Sequence, residues 1–127
     1  LSVHEGPQRI SKIPNRIALE PGMIISNEPG YYKTNEYGIR IENLVVVAPA
    51  STRSSNLNDK NLSLLCFETL TLAPIDLSLV DRNLLNSTEI DWVNSYHKRV
   101  KTALFPLLDS KTQEWLNSAA TDIKIPE

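Results

Sequence analysis

The stretch from residue 26 to residue 42 reads Ser-Asn-Glu-Pro-Gly-Tyr-Tyr-Lys-Thr-Asn-Glu-Tyr-Gly-Ile-Arg-Ile-Glu, and it places two carboxylates, Glu28 and Glu42, on either side of a turn. The apolar, β-branched run Met23-Ile24-Ile25 precedes it and predicts a buried strand that ends at Pro29-Gly30. Glu28 is therefore expected at the end of a strand.

Beyond the turn, the segment from Gly38 to Val47 alternates between two faces, which predicts one continuous strand. Arg40 and Glu42 share a face with aliphatic side chains, so we expect Glu42 to be half-buried. A buried carboxylate needs a partner, and the residues leave two alternatives open. Either Arg40 forms an ion pair with Glu42, or Glu42 and Glu28 share a divalent cation that relieves the repulsion between neighbouring carboxylates.

Four short motifs carry a resemblance to a known family. They are His4-Glu5-Gly6-Pro7, Leu19-Glu20-Pro21-Gly22-Met23, Asn27-Glu28-Pro29-Gly30-Tyr31-Tyr32 and Gly38-Ile39-Arg40-Ile41-Glu42-Asn43. In order and spacing they resemble the last part of the catalytic domain of the X-Pro aminopeptidases (aminopeptidase P), which have the pita-bread metallopeptidase fold. Two further stretches resemble the C-terminal extension of the longer, eukaryotic-type members: Phe67-Glu68-Thr69-Leu70-Thr71-Leu72-Ala73-Pro74-Ile75-Asp76 and Trp92-Val93-Asn94-Ser95-Tyr96-His97.

The resemblance implies an α+β fold. Residues 1–61 are expected to form the C-terminal portion of a pita-bread catalytic domain, with an antiparallel or mixed sheet. Residues 62–127 are expected to form a C-terminal extension of one strand and two helices.

The resemblance also implies a metal-dependent aminopeptidase that releases the N-terminal residue from peptides with proline in second position, by two-metal activation of a bridging water. Glu28 and Glu42 match metal ligands, with Glu42 at the bridging position and Glu28 also as general base. His4 matches a histidine that hydrogen-bonds the substrate and the tetrahedral intermediate without binding metal. Arg40 matches a residue that orients the carboxylate ligands, and Tyr32 matches a neighbour of the site. Manganese is favoured, with zinc or cobalt as alternatives.

Only part of this site is expected within the chain, because the family's remaining ligands, two aspartates and a histidine, would precede Leu1. The chain opens without an initiator methionine and reads as an excerpt, and we expect the 127 residues to be catalytically inactive by themselves. Two alternatives from other classes stay open: a catalytically degenerate pita-bread binding module, and a stand-alone dimerisation or interaction domain.

The charge composition of the chain limits the classes of partner that we expect. The formal net charge is -2, and the charges are interspersed, so nucleic acid and anionic membranes are not expected partners. The expected partners are a peptide substrate and a second copy of the chain in a homodimer. The single cysteine, Cys66, lies in an apolar setting that predicts core packing, and its free thiol fits a reducing, cytoplasmic location.

The remaining elements follow from local patterns. Residues 8–20 predict a loop that borders the site, residues 49–61 a surface connection, and residues 62–73 a third strand that ends at Pro74. A helix is predicted from a cap at Ser87 or Thr88 to Pro106, and a second from a capping box at Ser110. Apolar positions of the two helices are Ile90, Val93, His97, Val100, Leu104, Leu107, Trp115, Leu116, Ala119 and Ala120. His97 is predicted to be a packing residue, and Trp92 and Trp115 to anchor the helices on the catalytic domain or on a second copy.

Overall fold

A computed structural model of the chain describes residues 6–50 and 64–124. They form an α+β fold, as expected, and divide into two compact units between Thr71 and Leu72. The strands are β1 (Ile24–Asn27), β2 (Gly30–Lys33), β3 (Tyr37–Arg40), β4 (Asn43–Pro49) and β5 (Leu65–Thr69), and the helices are α1 (Ser87–Leu104) and α2 (Ser110–Ala119).

The first unit contains an antiparallel sheet of three strands in the order β1-β4-β5. Alternate residues of β4 point to one face, where Val45 and Val47 are buried together with Ile25 of β1. Leu19 and Met23 pack against this cluster. The predicted strand at Met23-Ile24-Ile25 is therefore confirmed in position, although it begins one residue later and runs to Asn27.

The prediction of one continuous strand from Gly38 to Val47 is wrong. The chain forms two strands there, β3 and β4, which belong to different sheets. Among the described strands β3 pairs with β2 alone, in a hairpin whose three-residue loop holds Asn35 at φ 60°, a conformation that asparagine tolerates. The chain leaves the hairpin at Ile41, whose N–H donates to the Pro29 carbonyl at 3.1 Å. Apolar side chains continue to recur at alternate positions across this break, so the break could not be predicted from the sequence pattern.

The third predicted strand is β5, which ends at Thr69, before Pro74. It pairs with β4, and the contact continues through the N–H of Leu70, which donates to the Leu44 carbonyl at 2.8 Å. Cys66 is exposed, so its predicted core role is wrong: strand β5 buries neither face fully in the described residues. β5 thus lies in the first compact unit. The domain boundary between residues 61 and 62 stays a prediction, because residues 51–63 lie outside the described part of the chain.

In the second unit, α1 begins at Ser87, one residue before the earliest start that the predicted caps, Ser87 and Thr88, would allow. Its cap is Asn86, whose side chain accepts from the N–H of Glu89, while the Glu89 carboxylate accepts from the N–H of Asn86. α1 ends at Leu104, before a short 3₁₀ turn that contains Pro106, so the predicted helix end is confirmed. The capping box predicted at Ser110 is wrong, because Asp109 caps α2 by accepting from the N–H of Thr112 at 2.9 Å.

The core of the second unit comprises Tyr96, Val100, Leu116 and Ala120. Leu107 and Trp115, both predicted on apolar faces, are 78% and 59% exposed. The apolar spacing of the sequence therefore extends to two positions whose side chains stay largely exposed. Trp92 stacks on Tyr96, with ring centroids 5.5 Å apart, and stays 49% exposed.

Three polar side chains of α1 tie two extended segments to the helix. The Tyr96 hydroxyl donates to the Ala73 carbonyl at 2.9 Å, and Asn94 exchanges two hydrogen bonds with the main chain of Ile123, at 2.8 and 3.0 Å. His97 is fully buried; its Nε2 accepts from the N–H of Ile75 at 3.0 Å, and its Nδ1 lies 3.1 Å from the Thr121 carbonyl. His97 is thus a packing residue, as predicted, and also holds the chain on both sides of α1.

Candidate metal and catalytic site

Glu28 follows the last residue of β1, as predicted, and both its carboxylate oxygens are engaged. The Ser26 hydroxyl donates to Oε1 at 2.9 Å, and Nη1 of Arg40 donates to Oε2 at 2.5 Å. The Glu28 side chain is 22% exposed. Two donors from different strands therefore fix the plane of this carboxylate while leaving it accessible to solvent.

Arg40 is the last residue of β3 and brings the two predicted carboxylates together. Its Nη1 lies 3.8 Å from Oε2 of Glu42, in addition to its hydrogen bond with Glu28. The hydrogen bond that Arg40 donates to Glu28 raises the pKa of Arg40 above its ordinary value, and the acidic groups of Tyr32 and Glu42 add to the effect. The guanidinium is thus a permanent positive charge between two carboxylates.

Glu42 does not lie within a strand. It occupies the two-residue break between β3 and β4, and its side chain is 46% exposed. The prediction that Glu42 lies on a packed strand is wrong, because residue 42 belongs to neither β3 nor β4. Its side chain is about half-buried, as expected. The predicted ion pair between Glu42 and Arg40 is present, at the long separation of 3.8 Å.

Tyr32 of β2 crosses the hairpin and lies over Gly38 of β3. A Cβ atom at Gly38 would be 2.6 Å from Cδ1 of Tyr32, so only glycine permits this close approach. The same ring reaches Gly30, where a Cβ would be 3.0 Å from the phenol oxygen. Gly30 pairs with Arg40 in the hairpin register, which brings the tyrosine to the side of the sheet that carries the arginine.

A cleft of about 260 Å³ borders Glu28. Asn27, Glu28 and Pro29 form one side, and the other side comes from Ile10, Ser11 and Lys12. The predicted loop over residues 8–20 contains no helix or strand and does border the site residue Glu28. Neither Lys12 nor Ser26 was predicted from the sequence. Ser26 could have been, because it lies two residues before Glu28 on a predicted strand and side chains at that spacing share a face.

His4 lies outside the described residues. Within residues 6–50 and 64–124, no group of three or more His, Cys, Asp or Glu side chains is arranged to hold a metal ion. The donor chemistry nevertheless fits part of a divalent site, because two carboxylates converge on one positive group and oxygen ligands suit hard cations. Two carboxylates alone provide too few ligands for two ions.

Comparison with known proteins identifies the family of the chain. The family model described as metallopeptidase family M24 matches residues 1–49, and the model described as the C-terminal region of peptidase M24 matches residues 63–123. The chain belongs to the M24 metallopeptidase family. The resemblance inferred from the motifs is thereby confirmed.

Similar proteins and a similar structure carry aminopeptidase names. Aminopeptidase P2 of Arabidopsis thaliana is 50% identical over 91% of this chain, and a probable Xaa-Pro aminopeptidase P of Coprinopsis cinerea is 46% identical over 97%. The crystal structure of an X-prolyl aminopeptidase from Caenorhabditis elegans, described as a cytosolic enzyme with a di-nuclear active site, matches 97% of this chain with 38% identity and a TM-score of 0.78. The chain spans 16%, 20% and 20% of the lengths of these three proteins.

No helix in residues 6–50 and 64–124 has both the length and the apolar character of a membrane span.

Proposed function

We propose that the chain is part of a metalloaminopeptidase that releases the N-terminal residue from peptides with proline in second position. The observation that carries the proposal is the convergence of Glu28, Arg40 and Glu42 in one cluster, in a chain whose relatives are named Xaa-Pro aminopeptidases. Exposed ion pairs stabilise a fold little, at about 0.2–1 kcal/mol, so stability alone gives a weak reason to gather these charges at the surface.

In this proposal Glu28 and Glu42 would supply two of the ligands of a pair of divalent ions. Such ions polarise a carbonyl and lower the pKa of water. Manganese is the favoured metal, with zinc or cobalt as alternatives. Glu28 also accepts a proton from the attacking water, a role that suits an accessible carboxylate whose orientation is fixed by Ser26 and Arg40.

The neighbouring groups hold these carboxylates in position. Arg40 orients both of them and keeps its charge at any working pH. Tyr32, packed over Gly38, supports the hairpin from which Arg40 projects. His4 is proposed to hydrogen-bond the substrate and its tetrahedral intermediate.

The rest of the site belongs to parts of the protein beyond these 127 residues in this proposal, so the chain alone is expected to be inactive. A cytosolic location is also proposed, because the Caenorhabditis elegans enzyme is described as cytosolic. A homodimer is proposed because the tryptophans of the helices are exposed. The mass of the complete protein in solution tests the dimer.

The test of function uses the complete protein. We expect it to release the first residue from an X-Pro peptide and to leave the matching X-Ala peptide intact. Treatment with a chelator should abolish this activity, and manganese should restore it. Equal cleavage of the two peptides, or full activity after metal removal, would show that the proposed function is wrong.

A further inference from the structure

The loop that shares the cleft with Glu28 presents a lysine, Lys12. Of the described residues that line the cleft, Lys12 alone is cationic, and it makes no ion pair in the part of the chain that the structure describes. The other lining residues are the apolar Ile10 and Pro29, the polar Ser11 and Asn27, and Glu28 itself. Glu28 is an anionic neighbour of Lys12 in the cleft, but its carboxylate is hydrogen-bonded by Ser26 and Arg40. Apolar walls with a few placed polar groups are the usual composition of a ligand site.

The base of this loop is tied together by side-chain hydrogen bonds. Asn15 donates to the Pro7 carbonyl at 3.0 Å and to Oε1 of Gln8 at 3.1 Å, while Nε2 of Gln8 donates to the Ile17 carbonyl at 2.6 Å. Residues 10–12 lie within the segment that these bonds close, and they line the cleft. The conformation of the segment that carries Lys12 is therefore fixed by hydrogen bonds within the loop.

We propose that Lys12 is a specificity residue, whose ammonium group pairs with a carboxylate of the substrate peptide in the cleft beside Glu28. This inference rests on the proposed function, because it takes Glu28 to lie at the reacting bond. The cleft is somewhat smaller than the roughly 300–1,000 Å³ of pockets that enclose drug-sized ligands, so it suits a short part of a peptide. The carboxylate comes either from an acidic side chain or from the C-terminus of a short peptide.

Two pairs of substrates distinguish these sources. The first pair is an X-Pro-Y tripeptide with a free C-terminus and the same tripeptide as its amide. The second pair is a longer X-Pro peptide, amidated at its C-terminus, with Glu or Gln directly after proline. For each pair, the ratio of kcat/KM between the charged and the neutral peptide measures the preference for a carboxylate.

Variants of the complete protein then test Lys12 itself. In Lys12→Met the preference should fall by about 1.5- to 5-fold for one pair, the range expected for an exposed ion pair. Lys12→Arg should keep the preference, and Lys12→Glu should lower it further. The wild-type preference should also shrink as salt is raised, because screening weakens exposed charge pairs. The matched control is Arg16→Met, which removes the same charge from the same loop at a position that does not line the cleft.

The outcomes separate this inference from the function on which it rests. A wild-type protein that cleaves no X-Pro peptide overturns the proposed function. A protein that cleaves them with the same preference in the wild type, Lys12→Met and Arg16→Met, or with no preference for a carboxylate at all, overturns the role of Lys12 alone. Thermal unfolding of the variants checks that each one is folded.

Discussion

In the first unit Glu28, Arg40 and Glu42 meet where each side chain is between 22% and 46% exposed, whereas in the second unit Tyr96 and His97 are buried and bonded to the main chain. The buried groups must be paired, because an unpaired polar group in the interior costs about 1–3 kcal/mol. The exposed groups could be solvated instead, so folding gives a weak reason for their convergence.

The two units thus use polar side chains for different ends. Substitutions in the carboxylate cluster should change activity with little change in stability, and substitutions in the polar residues of α1 should do the reverse. Four predictions test this contrast, in order of decreasing effect. Each one uses the complete protein.

The largest effect is expected for Glu28→Gln, which keeps the size of the side chain and removes its basicity. Turnover of an X-Pro peptide should fall by about 10²- to 10⁴-fold, the range attributed to a general base. The free energy of unfolding should change by no more than about 1 kcal/mol, the upper end of what such ion pairs contribute. A variant that unfolds readily, or that keeps its turnover, would break the contrast.

The second prediction concerns His97→Ala. This change leaves the N–H of Ile75 and the carbonyl of Thr121 without their partner and opens a cavity, so it should destabilise the protein by about 2–4 kcal/mol. Hydrogen exchange of the amides in α1 and in residues 73–75 should report the loss. Lys98→Ala, at the exposed neighbouring position, is the control and should be near neutral. Equal exchange in both variants would contradict the role assigned to His97.

The third prediction separates the observed cap of α1 from the one expected from sequence. Asn86→Ala should cost about 1 kcal/mol, because it removes the acceptor of the Glu89 N–H. Ser87→Ala and Thr88→Ala should cost much less, since neither residue is the cap in the structure. Exchange rates of the first-turn amides measure the difference. A larger loss of stability in Ser87→Ala than in Asn86→Ala would instead indicate that Ser87 is the cap, as the sequence pattern predicts.

The smallest effect is expected for Asp109, the cap of α2. The hydrogen bonds from the backbone N–H and the hydroxyl of Thr112 lower the pKa of this carboxyl in the folded state. A lowered folded pKa stabilises the protein fully above the ordinary aspartate pKa of about 3.9, and that stabilisation is lost as the pH falls through the lower folded value. Asp109→Asn keeps a capping acceptor without the charge. The stability difference between wild type and Asp109→Asn should therefore be constant above that pKa and shrink in acid; a difference that grows in acid would refute the assignment.

The contrast between the units also explains which features sequence patterns could predict. Ile90, Val100 and Leu116 recur with helical spacing because one side of each helix is buried, so the helices could be located from the pattern. Their caps were misplaced by one residue, because asparagine, serine and aspartate all make suitable caps. In the hairpin every residue is exposed, so periodicity carries no information about which face packs.

The site shows the same limit. Glu28 and Glu42 could be identified because they stand in recognisable motifs, but the break that exposes Glu42 could not, since Ile39, Ile41, Val45 and Val47 alternate through it. The position of Lys12 in the cleft beside Glu28 could not be predicted, because it depends on the path of a loop and loop geometry leaves no periodic signal.

The central claim is that Glu28 and Glu42 converge in order to hold divalent cations, with Arg40 orienting them. The most direct test counts the manganese ions bound per complete protein chain, by calorimetry and elemental analysis, in the wild type, Glu42→Gln and Glu36→Gln. Glu36 is a matched control, because it is an exposed carboxylate on the same hairpin that pairs with Lys33 at 2.8 Å. We predict two ions in the wild type and in Glu36→Gln, and fewer or much weaker binding in Glu42→Gln without loss of folding. Two tightly bound ions in Glu42→Gln would contradict the claim and leave the cluster as a surface ion pair.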